Sequence, residues 1–116
     1  MATQAPPAGV ARIHEVRISA SGQVDSERVF LKRQRRDTVR WTAEGGPWRI
    51  TFDKGDGTPF VNTAGQDQGT FDIPENGSID TREARGTPPE RKIFGYRVRR
   101  GTNPFEETQD PDVDVE

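Results

Sequence analysis

The sequence predicts an all-β domain, a Greek-key β-sandwich of about seven or eight short strands. It contains nine Val and six Ile but only one Leu, and β-branched side chains suit the pleated, half-buried surface of a strand. Apolar and polar residues alternate in short runs, which are separated by Gly, Pro and Asn-Gly turn signals. A small closed barrel is the competing architecture.

The length of 116 residues allows one hydrophobic core, since a chain of this size buries roughly 60 to 70% of its unfolded surface. We divide the chain into a flexible N-terminal segment, residues 1–11, and a single β-sandwich domain, residues 12–116. Large apolar residues are few, but a formal net charge of only −2 argues against disorder. The prediction is therefore a thin but ordered core.

Two strands are predicted before residue 33. The first spans residues 12–20, and its inward face is formed by alternate side chains: His14, Val16, Ile18 and Ala20. The second spans residues 24–32 and places Val29 and Leu31 on one face and Phe30 on the other. We expect this second strand to be an outer one.

The clearest pattern lies in residues 37–52, DTVRWTAEGGPWRITF, where two alternating apolar runs flank a Gly-Gly-Pro turn. We predict that these two runs form a β-hairpin. Five large side chains of the segment are expected in the core: Val39, Trp41, Trp48, Ile50 and Phe52. No other part of the chain contributes apolar residues so densely.

The rest of the chain alternates between loops and short strands. Residues 53–69 are predicted to form a long loop anchored by Phe60 and Val61, and loops of this length are uncommon unless they have a function. Short strands are predicted at residues 70–73, 78–81, 93–99 and 111–116. Polar connections are predicted at residues 82–92 and 101–109. The strand at 93–99 adds three core residues: Phe94, Tyr96 and Val98.

Several of these segments resemble the cupredoxins. Residues 37–41, DTVRW, resemble the cupredoxin pattern GDTVTW, and residues 47–52, PWRITF, resemble the PHNVxF strand that follows it. Near the C-terminus, residues 95–98 resemble the GxYxFxC strand, and residues 111–116 resemble the closing GxIxV strand. The resemblance covers about the last two thirds of the chain and implies a cupredoxin-like sandwich, with an immunoglobulin-like one as the alternative.

The copper ligands of the cupredoxin pattern are missing. In copper-binding members the His of PHNV is a ligand, and Trp48 takes its place here, while the ligand Cys falls near Arg100. Type 1 copper requires two His, one Cys and usually an axial Met. This chain has one His, no Cys and only Met1, so a type 1 copper site is excluded. We expect no metal and no cofactor.

The sequence does not indicate an enzyme. His14 is the only imidazole, and without a second His or a Cys we expect it to have a structural role. Four carboxylates are scattered over residues 53–72 without the spacing of an EF-hand: Asp53, Asp56, Asp67 and Asp72. We prefer a solvated loop there to a metal site. An enzyme with a carboxylate pair of the glycosidase type is left open as a third alternative.

Charge is distributed unevenly along the chain. A basic turn is formed by Lys32, Arg33, Arg35 and Arg36, and the C-terminal ten residues contain only acidic charges. The turn suggests either a phosphate-contacting patch for nucleic acid or a solvated turn partly neutralised by the acidic terminal strand. The terminal strand, with Val113 and Val115, would also join the basic edge of another copy or add to an exposed sheet edge.

Our leading hypothesis is a non-enzymatic binding or assembly module with a protein partner or self-association. The alternative is a nucleic-acid-binding β-domain that uses the turn at residues 32–36. Candidate binding residues are Lys32, Arg33, Arg35, Arg36 and Phe60. The N-terminal residues show neither a basic start nor an apolar signal segment, and no run approaches the roughly 18 apolar residues of a membrane span. We therefore expect a soluble, cytoplasmic protein without a membrane partner.

Overall fold

The computed structural model describes residues 11–85, 90–100 and 109–116. In this part of the chain there are nine strands: β1 Ile13–Ile18, β2 Arg28–Leu31, β3 Thr38–Ala43, β4 Trp48–Thr51, β5 Thr70–Ile73, β6 Ser78–Asp80, β7 Lys92–Gly95, β8 Arg97–Arg100 and β9 Asp112–Val115. The predicted flexible segment, except for its last residue, and most of the connection predicted at 101–109 lie outside the described residues, as do residues 86–89. No helix among the described residues is long and apolar enough to cross a membrane.

The strands form three three-stranded sheets, in the orders β1-β3-β6, β2-β9-β7 and β5-β4-β8. The β1–β3 and β2–β9 pairs are parallel, and the other four pairs are antiparallel. Because only Tyr96 separates β7 from β8, the second and third sheets continue into one layer, and the first sheet forms the other. The predicted all-β sandwich is therefore confirmed.

The predicted hairpin at residues 37–52 is wrong, although both of its strands exist. β3 pairs with β1 and β6, whereas β4 pairs with β5 and β8. Gly45 and Gly46 both have positive φ, 69° and 100°, and the turn that contains them leads the chain from one layer into the other. Alternation places both apolar faces toward the core, but it does not specify which strand is the neighbour.

The C-terminal strand also lies elsewhere than expected. β9 is the central strand of its sheet, between β2 and β7, and Val113 and Val115 are fully buried. It is therefore not available to add to the sheet edge of another molecule. β2, by contrast, lies at a sheet edge, as the sequence predicted.

The core is built around a cluster of five aromatic rings: Trp41, Phe52, Phe60, Phe71 and Tyr96. The Trp41 and Phe71 ring centroids are 5.2 Å apart, and the Trp41 and Tyr96 centroids are 5.6 Å apart. Burial raises the pKa of Tyr96, and the Trp41 Nε1–H donates to its hydroxyl at 3.5 Å. All eight residues predicted for the core from residues 37–52 and 93–99 are buried.

Phe60 belongs to this core and is not a surface binding residue, which corrects the sequence prediction. Its side chain is 0% exposed and meets the rings of Trp41 and Phe71 nearly edge-on, at 87° and 90°. The Phe60 N–H donates to Thr58 Oγ1 at 3.2 Å, which fixes the loop backbone beside it. A loop with so few large apolar residues gains most by burying its one aromatic ring.

We expect Phe60→Ala to lower the free energy of unfolding by about 3 to 5 kcal/mol, because it leaves a cavity among packed rings. The matched control is Phe30→Ala, for which we expect less than about 1 kcal/mol, because that ring is mostly exposed. Urea denaturation followed by tryptophan fluorescence measures both values. Equal losses in the two variants would contradict this placement of Phe60.

Candidate binding surface

The corner where the cupredoxin pattern has copper ligands is filled by an indole and a guanidinium. Trp48 is buried at the start of β4, and its Nε1–H donates to the Glu44 carbonyl oxygen at 3.2 Å. Arg100 lies directly opposite Trp48 in the β4–β8 pair, with its guanidinium carbon 5.9 Å from the centre of the indole. This is a cation–π contact. Neither side chain can replace an imidazole or thiolate ligand.

The carboxylates of the 53–72 segment do not converge. The described residues contain no group of three or more His, Cys, Asp or Glu side chains that could bind a metal ion. Three of the four carboxylates are instead paired with arginines, at oxygen-to-nitrogen distances of 2.5 to 3.1 Å: Asp53 with Arg97 and Arg99, Asp67 with Arg85, and Asp72 with Arg49. Pairing with a cation is the ordinary structural role of such carboxylates.

The basic turn contains a 3-10 turn at Arg33–Arg35, and all three of its guanidinium groups have partners within the molecule, with Arg36 in a 3.6 Å ion pair with Glu83. Arg33 donates to the carbonyl oxygens of Arg85 and Glu90, at 2.9 and 3.1 Å. Arg35 donates to the carboxylate of Asp37, with the shortest distance 2.6 Å. Only Lys32 and Arg36 of the predicted binding residues are exposed here.

Asp37 is the partner that organises this turn. Its carboxylate is fully buried and accepts hydrogen bonds from the backbone N–H groups of Arg12 and Lys32, from His14 Nε2 and from Arg35. Burial alone would raise the pKa of this carboxyl, but the hydrogen bonds from Arg35, Lys32, His14 and Arg12 outweigh it and lower the pKa to about 2. The single imidazole of the chain therefore contributes to a structural hydrogen-bond network.

The acidic terminal strand is also neutralised within the chain. Arg28 Nε lies 2.8 Å from Asp112 Oδ1 across the β2–β9 pair. Asp114 is fully buried, and the Arg91 guanidinium binds both of its oxygens. The Arg91 hydrogen bond lowers the pKa of Asp114. The carboxylates of Asp112 and Asp114 are thus already paired with arginines of the same chain, which argues against head-to-tail association through them.

An apolar patch is exposed on the outward face of the β2-β9-β7 sheet. Phe30 on β2, Asp114 on β9 and Ile93 on β7 lie in one row across the three strands. Phe30 is 57% exposed and Ile93 is 38% exposed, on either side of the buried carboxylate. We call Phe30, Ile93 and the adjacent Arg28 and Arg91 the outer patch.

A cleft of about 250 Å³ borders this patch. It is lined by residues of β1 and β2 and of the segment between them: His14, Glu15, Ser26, Arg28, Val29 and Phe30. The two strands belong to different sheets, and each is an edge strand. The cleft therefore lies along the open side of the sandwich.

Solved structures with a similar fold include amicyanins. A reduced Cu(I) form of an amicyanin variant at pH 4 has a TM-score of 0.54 and 16% identity, covering 89% of this chain and 81% of the amicyanin. A second Cu(I) variant has a TM-score of 0.55 and 18% identity, covering 90% and 82%. A third, reduced variant has a TM-score of 0.53 and 15% identity, covering 97% and 87%. No protein-family model and no curated protein matches the chain.

At these identities the likeness shows the fold alone, and the domain is a cupredoxin-like β-sandwich without the copper ligands. The predicted resemblance is therefore confirmed at the level of fold. Sequence reasoning placed Phe30 on the face opposite Val29 but did not select it for binding. The signal was present: a large aromatic residue occupied the polar side of an alternating strand.

The Asp37 network predicts a particular pH dependence of stability. The pKa of Asp37 falls from 3.8 to about 2 on folding, so the stabilisation is complete above pH 4 and is lost as the pH falls toward 2. This shift corresponds to about 2 kcal/mol. We expect Asp37→Asn to cost about 3 kcal/mol at neutral pH and to flatten the acid limb of the profile.

Urea denaturation at several pH values between 2 and 7 measures both effects. Asp56→Asn, in an exposed position of the long loop, is the control and should keep the acid limb of the unsubstituted protein. An unchanged acid limb in Asp37→Asn would show that other carboxylates determine the acid sensitivity.

For the basic turn we expect no binding to single-stranded DNA at about 0.15 M salt, because Arg33 and Arg35 are engaged within the chain. Chromatography on immobilised single-stranded DNA with a salt gradient measures this, and Lys32→Glu should elute as the unsubstituted protein does. Retention that Lys32→Glu abolishes would favour the nucleic-acid alternative.

Proposed function

We propose that this cupredoxin-like domain is a non-enzymatic protein-binding module that recognises its partner through the outer patch. The observation that supports the proposal is the exposure of Phe30, whose ring is 57% accessible on a strand at a sheet edge. Aromatic residues and arginines are enriched where proteins bind one another, and this patch combines both.

The chemistry of the patch supports binding more than catalysis. The two carboxylates beside the patch, Asp112 and Asp114, are each bound by one of its arginines. A general acid or base needs a group that can exchange a proton near the working pH, and the arginine holds the Asp114 pKa low. The arginines keep exposed surface, 44% of the Arg28 side chain and 56% of the Arg91 side chain, and so remain accessible to a partner.

Exposed edges of sheets are places where proteins associate. The apolar residues of the patch stand beside such an edge, and the cleft between β1 and β2 adds a concave border. The cupredoxin-like scaffold serves in this proposal to present that surface rigidly.

Affinity capture from a native lysate tests the proposal when it is run with three proteins in parallel. We expect a partner that binds the unsubstituted chain to be lost with Phe30→Ser and retained with Ile13→Ser. Ile13 is the matched control because it is 58% exposed but lies on β1, in the other layer. The captured protein is then purified and titrated against each variant by calorimetry.

A partner bound equally by all three proteins would refute the role of the outer patch. The thermal unfolding midpoints of the variants serve as the check on folding. Because both substituted side chains are mostly exposed, we expect small and similar changes in the midpoint.

A further inference from the structure

The edge of β2 presents backbone groups that no described strand pairs. The carbonyl oxygens of Glu27 and Leu31 accept hydrogen bonds from the N–H groups of Asp112 and Glu116, at 2.7 and 2.8 Å, on the β9 side. Backbone groups of successive residues in a strand point in opposite directions within the sheet. The N–H and C=O groups of Arg28 and Phe30, which fall between those residues, therefore point toward the free edge.

The free edge of β2 opens onto the cleft beside β1. Across this cleft, the backbone N–H and C=O of Arg17 point away from β3, because they bond to the side chain and backbone of Asp25. By the same alternation, the backbone groups of Glu15 also point toward the cleft. The β2 edge at Arg28 and Phe30 and the β1 edge at Glu15 thus border one space, while the β1 edge at Arg17 is already bonded to Asp25. An extended chain has hydrogen-bond partners at the first two edges.

The free segment of β2 is short. At its C-terminal end, the Lys32 N–H donates to Asp37 Oδ2 at 3.1 Å, and the Lys32 carbonyl accepts from the Arg35 and Asp37 N–H groups. These bonds close the edge beyond Phe30. A strand added to β2 therefore has two residues to pair with, Arg28 and Phe30, and its side chains must supply the specificity.

The side chains beside this edge alternate between cation and aromatic ring. Arg28 and Phe30 point to the outward face, and Lys32, still extended at φ −110° and ψ 120°, continues the row. Lys32 forms no ion pair within the described part of the chain and is exposed. The outward row is therefore cation, aromatic ring, cation.

β9, the strand that pairs with β2 in the sheet, shows which side chains complement this row. β9 presents carboxylates at alternate positions, with Asp112 opposite Arg28 and Asp114 opposite Phe30. The Arg28–Asp112 pair uses Nε and Nη2 of the guanidinium, which leaves Nη1 for a second carboxylate. An acidic strand is thus the observed partner on one side of β2.

A second copy of this chain fits the edge poorly. If two β2 strands paired antiparallel with Phe30 against Phe30, Arg28 of each copy would face Lys32 of the other. Like charges directly opposite in a sheet are destabilising. The charge pattern therefore selects a different chain with acidic residues.

We propose that the free edge of β2 binds an extended acidic segment of a partner protein as an added strand, with an apolar residue beside Phe30 flanked at alternate positions by carboxylates beside Arg28 and Lys32. This inference rests on the proposed function and specifies the partner surface. The added strand runs antiparallel to β2, so the apolar residue exchanges both of its backbone hydrogen bonds with Phe30, and the flanking acids give the charge complementarity.

Synthetic peptides test this on the folded protein. The probe is a capped, fluorescent peptide GSETLTETGS, and the three controls replace both acids of the ETLTE core by Lys, its Leu by Ser, or the Leu by N-methyl-Leu. The last control preserves charge and apolarity but removes the N–H that would donate to Phe30. In fluorescence polarisation we expect each control to bind at least tenfold more weakly than the probe.

Variants of the protein give the reciprocal result. Phe30→Ser should lower the affinity for the probe at least tenfold. Lys32→Glu should lower the affinity for the acidic probe and raise the affinity for the lysine peptide. Hydrogen exchange on the unsubstituted protein should show the amides of Arg28 and Phe30 becoming protected on binding, with the amide of Val29 unchanged. Equal binding of the N-methyl peptide, or no new protection, would overturn strand addition.

The outcomes separate this inference from the proposed function. If no peptide binds but a captured partner still requires Phe30, strand addition fails and the protein-binding function stands. If the captured partner is indifferent to Phe30 and no peptide binds, both fail. A dimer in sedimentation analysis that Phe30→Ser dissociates would assign the edge to a second copy and overturn the acidic segment.

Discussion

The buried carboxylate of Asp37 is the interaction on which the arrangement of the sandwich depends. β1 and β3 form a parallel pair, so no tight turn connects them, and contacts at their ends add to the buried side chains of the pair in fixing their alignment. Asp37 provides this by bonding to Arg12 and His14 at the start of β1 and to Lys32 and Arg35 in the turn before β3. Removing one charge of such a buried pair leaves the other uncompensated.

The chain has few aliphatic residues for its core, and two other features of the sandwich compensate for this shortage. Its core relies on mutually packed aromatic rings, which bury a large apolar area per residue. Its outward faces pair arginine with aspartate across neighbouring strands in register: Arg28 with Asp112, Arg40 with Asp80, and Arg49 with Asp72. Exposed pairs of this kind contribute little to the free energy of unfolding, but they disfavour a shifted register.

Local alternation predicted most of the buried strand side chains, because the direction of a side chain depends on its own strand. Ala20, predicted on the inward face of the first strand, is instead exposed and lies beyond the end of β1 at Ile18. It could not predict that β3 and β4 lie in different layers, since strand partners are set by contacts distant in sequence. Phe60 was misplaced because its segment has no periodicity to show an inward face. Arg91 and Asp114 are 23 residues apart, so their pairing, and with it the nature of the outer patch, required the three-dimensional structure.

The Trp48 corner has a thermodynamic consequence for the whole domain. A protein whose ligands converge on an ion gains stability from that ion, so its folded population depends on the supply of metal. Here the corresponding corner of the sandwich is filled by two side chains of the chain itself, the Trp48 indole and the Arg100 guanidinium above it. At this corner the observed contacts are therefore made by groups of the chain itself: Trp48 bonds to the Glu44 carbonyl oxygen and packs against the Arg100 guanidinium.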